Sequence, residues 1–272
     1  MNIGISVPLP AYKVDVAFMV RKAEELGFES FWCAEHPIMP VHSTSRFPGS
    51  ADGIIPESYS HCVDPFVALA RASGTTTKLT LGTGITLVPE RHPLLHAKEI
   101  STLDLFSGGR FLFGIGTGWH REETQLIGGD FDHRWTQARE AILVMKELWT
   151  KEEAEFHGQY YNFPPVRSYP KPAQKPHPPV ILGGFAKNVL QRVVSWGMAG
   201  CRTGLHLPRW RPAVAHSTLW PGKLGATQPA SPSPSMVRLL STRSANVSTT
   251  PVPRGWLSGH QRRAQNRRWQ RN

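Results

Sequence analysis

Through the first 200 residues, short apolar runs alternate with stripes of helical period. Residues 2–7 (NIGISV), 30–34 (SFWCA), 79–88 (LTLGTGITLV), 110–115 (RFLFGI) and 179–182 (PVIL) are compact apolar runs, and each predicts a buried strand. Between them the period changes. Residues 14–26 place Val16, Val20, Ala23 and Leu26 on one helical face and stop at Gly27. Residues 65–73 predict a second helix, with Asp64 as cap and Pro65 in the first helical position. Residues 92–106, 134–149 and 187–196 predict three more, the first of them ending at Ser107-Gly108-Gly109. Residues 154–163 (AEFHGQYYNF) read as a small hairpin around His157-Gly158. Residues 35–63, rich in Pro, Ser and His, read as a long surface loop.

Strands without polar alternation, each followed by a helix, belong to a parallel sheet covered by helices. Five such units predict an α/β fold, the front part of a TIM (β/α)8-type barrel that is incomplete, with strands 1–5 recognisable. The alternative is a doubly wound sheet. That fold needs a glycine-rich turn after its first strand, where this chain has Pro8-Leu9-Pro10.

Charge divides the chain in two. Residues 201–272 hold one Lys, eleven Arg and no Asp, Glu, Phe, Tyr or Ile, a formal charge of +12 against +11 for the whole chain. Residues 1–200 are therefore close to neutral, at −1, and form the expected barrel domain. The high overall pI says nothing about them. Residues 201–272 are expected to be a disordered basic tail or an out-of-frame translation, since ordinary domains are about a quarter charged with both signs present. Arg262-Arg263 and Arg267-Arg268 beside Trp269 would suit nucleic-acid contact. Three scattered cysteines argue against a disulfide framework or a zinc site. With no leader pattern and no apolar run of membrane-spanning length, the expected location is the cytoplasm.

In a barrel the working face lies at the C-terminal ends of the strands. Those positions bring Glu35-His36, Arg91-His92-Pro93, Thr117-Gly118-Trp119-His120 and Gly183-Gly184. Glycines there let backbone approach a ligand and expose N–H groups to phosphate. A histidine can give or take a proton near neutral pH.

The stretches FESFWCAEHPIMP (28–40), KLTLGTGITLVPERHPLLHAKEISTLDLFSGGRFLFGIGTGWHREE (78–123), FHGQYYNFPP (156–165) and PKPAQKPHPPVILGG (170–184) carry a family resemblance. The chain resembles the bacterial luciferase-like superfamily, in particular its coenzyme F420-dependent oxidoreductases. The resemblance implies hydride transfer between a deazaflavin and a small organic substrate, with His36 as proton partner and Glu35 beside it. It implies a bulge at Gly84-Ile85, often with a non-proline cis peptide, supporting the back of the cofactor ring. It also implies contact of Thr117 and Gly118 with the cofactor's polar tail, and of Gly183 and Gly184 with its phosphate. Trp119 and His120 are candidate substrate-side residues. Homodimers are common in the family.

Alternatives stay open at this stage. FMN is the rival cofactor, which would make the protein an FMN-dependent monooxygenase. A third reading takes the chain as a nucleic-acid-binding protein acting through its tail. Gly82 and Gly84 would also ease barrel curvature, and Glu35 would also suit a buried arginine partner. His92 and His96, one helical turn apart, lack a third metal ligand and read as packing residues, so no metal is expected. Arg110 is expected to fix the far end of the barrel.

Overall fold

The computed structural model describes residues 3–7, 12, 14–184, 188–196 and 199–201. The expectations for the tail after residue 201 lie outside the described residues. Six strands lie side by side in chain order: β1 (Gly4–Val7), β2 (Ser30–Cys33), β3 (Thr80–Thr83), β5 (Phe111–Gly116), β8 (Val180–Gly183) and β9 (Ala199–Cys201). A seventh, β4 (Thr86–Leu87), follows β3 and also pairs with β5. Every pairing in this sheet is parallel. A separate antiparallel hairpin joins β6 (Ala154–His157) to β7 (Asn162–Val166).

Each strand adds to the same edge as its predecessor. A doubly wound sheet would reverse direction at a switch point, and here there is none. The order is that of a TIM-type barrel opened along one side, and among the described residues the sheet is not closed. The strand β9 goes beyond the five that the pattern predicts. Its three residues, Ala-Gly-Cys, carry no β-branched signal, and what defines the strand is its pairing with β8.

The helices are α1 (Val16–Glu25), α2 (Pro65–Ser73), α3 (Pro93–Phe106), α4 (Arg121–Leu126), α5 (Arg134–Thr150) and α6 (Val189–Trp196). Their starts follow local chemistry. Asp15 Oδ1 accepts from Ala17 N at 2.8 Å, and Asp64 Oδ1 accepts from Phe66 N and Val67 N at 2.9 Å. The short α4 and the 3₁₀ turns Glu57–His61 and Val88–Glu90 lie where the pattern predicts only loop or strand.

Residue size alternates across the sheet. Phe31, Leu81, Phe111, Phe113, Ile115 and Leu182 point outward into one buried cluster with helix residues such as Val20, Leu69, Ile100 and Met145. Each such side chain contributes about 1.5–3 kcal/mol by leaving water. The inward positions are small. A Cβ on Gly82 would overlap the Trp32 ring, and one on Gly114 would overlap the Thr83 carbonyl oxygen. Trp32, whose Nε1 donates to Ser30 Oγ at 2.9 Å, fills this interior. Gly82 is thus accounted for by the indole that crosses it.

The predicted strand over 79–88 is interrupted. Gly82 pairs with Leu112 and Thr86 with Ile115, so four steps along one chain match three along the other. One extra residue is bulged out, and the Gly84–Ile85 peptide within the bulge is cis, as the resemblance implied at this position. At the opposite end of the barrel Arg110 uses all five of its N–H donors. They reach Ser107 O, Thr76 Oγ1, Leu79 O, Ser73 O and Thr76 O at 2.7–3.1 Å. This agrees with the anchoring role expected for Arg110.

Candidate active site at the strand C-terminal ends

The candidate residues fall where their strands end. Glu35 and His36 follow β2, Gly84 and Ile85 follow β3, Thr117 to His120 follow β5, and Gly183 and Gly184 close β8. They divide into two groups.

Glu35 faces away from His36. Its carboxylate accepts from Leu87 N at 2.7 Å and from Arg91 Nε at 2.8 Å, and its side chain is 1% exposed. Arg91 also reaches Asp64 Oδ2 at 2.5 Å and Glu99 Oε2 at 3.3 Å, and lies 4.8 Å over the Phe66 ring. Burial raises the Glu35 pKa above its ordinary value, against the pull of the Arg91 guanidinium and the Leu87 N–H. This geometry is the pairing with a buried arginine, the second of the two readings left open for Glu35. His96 belongs to the same layer. Its buried ring packs on Phe66 and Phe113, and desolvation lowers its pKa. Among the described residues no group of three His, Cys, Asp or Glu side chains is arranged to hold a metal.

His36 is buried in a cluster of rings. Its ring lies 4.9 Å from Tyr59 and 5.6 Å from Trp119, and Phe47 closes the circle at 5.0 Å from Tyr59 and 5.6 Å from Trp119. Four rings, three of them from the long loop, form an aromatic wall at the strand ends. Sequence reasoning placed His36 and Trp119 here but missed Phe47 and Tyr59, because a loop without periodicity gives no direction for its side chains. It also missed Glu123, whose Oε2 lies 2.7 Å from His36 Nδ1.

His120 takes a different part from Trp119. Its side chain is wholly buried; Nδ1 accepts from Glu123 N at 3.0 Å, which leaves the Nε2 proton to donate to Ser43 Oγ at 2.9 Å. Glu122 accepts from Thr44 N, Thr44 Oγ1 and Ser45 Oγ at 2.6–2.8 Å. These bonds, the Ser45 hydroxyl first among them, hold its carboxyl below the usual range. The loop is thereby pinned to the start of α4 at Ser43–Ser45. Beyond the pin, residues 46–54 are stitched to themselves, with Phe47 N donating to Gly53 O at 2.9 Å and Arg46 to Asp52 O at 2.7 Å.

The glycines make room. A Cβ on Gly116 or on Gly183 would overlap the Ile85 side chain, so Ile85 lies across both. Gly118 has φ +76° and packs on Glu90 and Thr124, while Gly184 has φ +126° with open space where a Cβ would stand. Thr117 is buried beside them. Residues 185–187 lie outside the described residues.

Glu90, like Glu35 and Glu123, is a buried carboxyl, and its Oε2 has no partner among the described residues. Burial, then the charge of Glu123, pushes its pKa up to about 8. Thr124 Oγ1 lies 2.8 Å from Glu90 Oε1 and 3.1 Å from the His120 carbonyl, and one hydroxyl proton cannot serve both. A protonated Glu90 donating to Thr124 satisfies the pair. A folded-state pKa above the ordinary 4.5 gives stability present below pH 4.5 and lost as the pH rises through about 8. Melting curves of wild type and Glu90→Gln from pH 5 to pH 9 check this. Wild type is expected to lose several degrees relative to the variant across that range, at about 2–4 °C per kcal/mol.

Among the described residues no helix is long and apolar enough to cross a membrane. Comparison with known proteins gives a consistent assignment. The family model described as luciferase-like monooxygenase matches residues 11–198. An uncharacterised protein of Mycobacterium tuberculosis is 39% identical over 191 residues, covering 69% of this chain and 67% of the relative. The FMNH(2)-dependent dimethylsulfone monooxygenase of Pseudomonas putida is 36% identical over 110 residues, 38% of this chain and 30% of that protein. Among solved structures, the coenzyme F420 dependent tetrahydromethanopterin reductase of Methanopyrus kandleri superposes with a TM-score of 0.58 at 24% identity, a likeness of fold, over 74% of this chain and 55% of that one. The chain thus spans about half the length of the solved structures it matches.

Proposed function

The chain belongs to the luciferase-like monooxygenase family, and from that premise we propose that it is an F420-dependent oxidoreductase acting on a small organic substrate, with His36 as proton partner. The observation that carries the reading is the placing of His36 at the strand ends, inside a wall of Tyr59, Phe47 and Trp119 and hydrogen-bonded to Glu123.

The residues present suit a flat cofactor with an anionic tail. Gly84 and Ile85 would back the ring, Thr117 and Gly118 would meet the polar chain, and Gly183 and Gly184 would offer backbone N–H groups to phosphate. Gly184 in particular leaves open the space that a side chain would fill. When bound, the deazaflavin supplies a carbon that gives or takes a hydride. The protein's part is to hold the substrate against the aromatic wall, keep water out, and move the accompanying proton at His36 Nε2. Trp119 borders the substrate space, and His120 fixes the loop that carries Phe47 and Tyr59.

A second reading, FMN-dependent monooxygenation, is favoured by the 36% identity with the Pseudomonas enzyme. Titration of the full chain with F420 and, separately, with FMN decides between them. The expected result is saturable quenching of F420 fluorescence, with FMN binding at least tenfold weaker. The reverse order would move the assignment to FMN, and binding of neither would overturn both.

A further inference from the structure

Glu123 is held as firmly as a structural residue yet makes one side-chain bond, to His36. The two side chains are 0% and 6% exposed, and Glu123 Oε2 lies 2.7 Å from His36 Nδ1. A carboxylate only accepts, so the Nδ1 position carries the proton and Nε2 carries the lone pair. Among the described residues Nε2 makes no hydrogen bond. Position and direction come from separate elements. Glu123 is in the first turn of α4, where a negative charge is favoured, and its own N–H is tied to His120 Nδ1. His36 follows β2.

The other groups around Glu123 are engaged elsewhere or carry no positive charge. Glu90, in the 3₁₀ turn before α3, has a carboxyl pushed up to about 8 by burial and then by the charge of Glu123. Cys62, at the end of the long loop, has a thiol raised by burial and then by the charge of Glu123. His120 meets Glu123 through the lone pair on Nδ1 and directs its proton to Ser43. Glu122 is turned to the loop hydroxyls. Arg91 is engaged with Glu35, Asp64 and Glu99. His36 is thus the side chain that answers the Glu123 carboxylate.

Resting on the function proposed above, we propose that Glu123 is a positioning residue: it fixes His36 in the tautomer that presents Nε2 to the reacting centre, and it holds the imidazolium when the proton arrives. The same logic of a carboxylate orienting a histidine recurs in hydrolases, but here the chain reaches it through a first-turn helix residue 87 positions away.

Nitrogen NMR of the ring of His36 in the cofactor-free full chain tests the positioning without any turnover. Wild type is expected to show Nδ1 protonated and Nε2 bare. In Glu123→Met, which keeps volume and removes the acceptor, that preference is expected to be lost. A wild-type ring protonated on Nε2, or an unchanged tautomer in Glu123→Met, would overturn the proposal. The second arm uses Glu123→Gln with cofactor bound. There kcat is expected to fall about 100-fold with KM unchanged, and the pH profile of kcat to move by about one unit. An unmoved profile would also overturn it. If wild type binds neither F420 nor FMN, the functional reading falls and the ring spectrum alone decides whether Glu123 orients His36.

Discussion

Gly114→Ala is expected to yield little folded protein. The added methyl would overlap the carbonyl oxygen of Thr83 and lie 3.0 Å from its carbon, both backbone atoms of the neighbouring strand β3. No rotamer change relieves that. Thr83 is further fixed by its own hydroxyl, which donates to Gly114 O at 2.7 Å. The strands would have to separate next to the bulge at Gly84-Ile85, and a cost of about 3 kcal/mol or more follows. The control is Gly74→Ala. Gly74 ends α2 at φ −76°, and the nearest atom to a new Cβ is 3.9 Å away. That substitution is expected to be neutral or stabilising by up to about 1 kcal/mol. Soluble yield and thermal melting of the two variants, measured side by side, check the pair. Equal stability of both would show that the inner wall is looser than the backbone geometry indicates.

Arg91→Ala is expected to have the next largest effect. It strips Glu35 of two hydrogen bonds and its counter-charge, and leaves Asp64 at the cap of α2 without its partner. Removing one member of a buried pair costs about 3–5 kcal/mol, because the survivor is a buried charge without compensation. The melting temperature is expected to fall by about 10 °C at pH 8. The deficit should shrink at pH 5. Burial already raises the Glu35 pKa, and without Arg91 the acid takes up a proton and sheds its charge. A deficit that is the same at both pH values would mean that lost packing on Phe66, not charge, is the cause. The double substitution Glu35→Gln with Arg91→Met is expected to recover much of the loss.

The parts of this structure that could be read from the sequence are those written locally. The run RFLFGI announces a buried strand, and its alternation even gives the two faces, with Phe111, Phe113 and Ile115 outward and Gly114 inward. Asp64 marks a helix start that the structure bears out, whereas the first helix begins at Val16 behind Asp15, inside the span expected from residue 14. The glycines of LTLGTGITLV were visible, but their causes were not. Gly82 answers to Trp32, a residue on another strand, and the break at Gly84-Ile85 was expected through the family resemblance alone, its register shift against β5 having no local signal. Glu35 illustrates the same limit, since one carboxylate at a strand end suits a ligand or an arginine, and Arg91 lies 56 residues on. His-x-x-Glu at 120–123 did carry a signal, a cap followed by a first-turn acid, but nothing local says that the acid would also meet His36. The family match ends at residue 198, just before residue 201, where the basic tail read from the sequence begins.

The pin at Ser43–Ser45 cuts one long loop into two independent closures. Closing a loop costs free energy that grows only with the logarithm of its length, about 0.6 kcal/mol for each doubling. The stretch before the pin is short and carries His36. The stretch after it, which bears Phe47 and Tyr59, closes on its own through Phe47 and Gly53 and returns to the barrel at α2. Insertions at residues 50–53, the tip between Phe47 and Tyr59, are expected to cost tenths of a kcal/mol in closure and to leave the histidine in place. In evolutionary terms the mouth is modular: one wall is free to drift toward new shapes of substrate while the proton-handling side keeps its geometry.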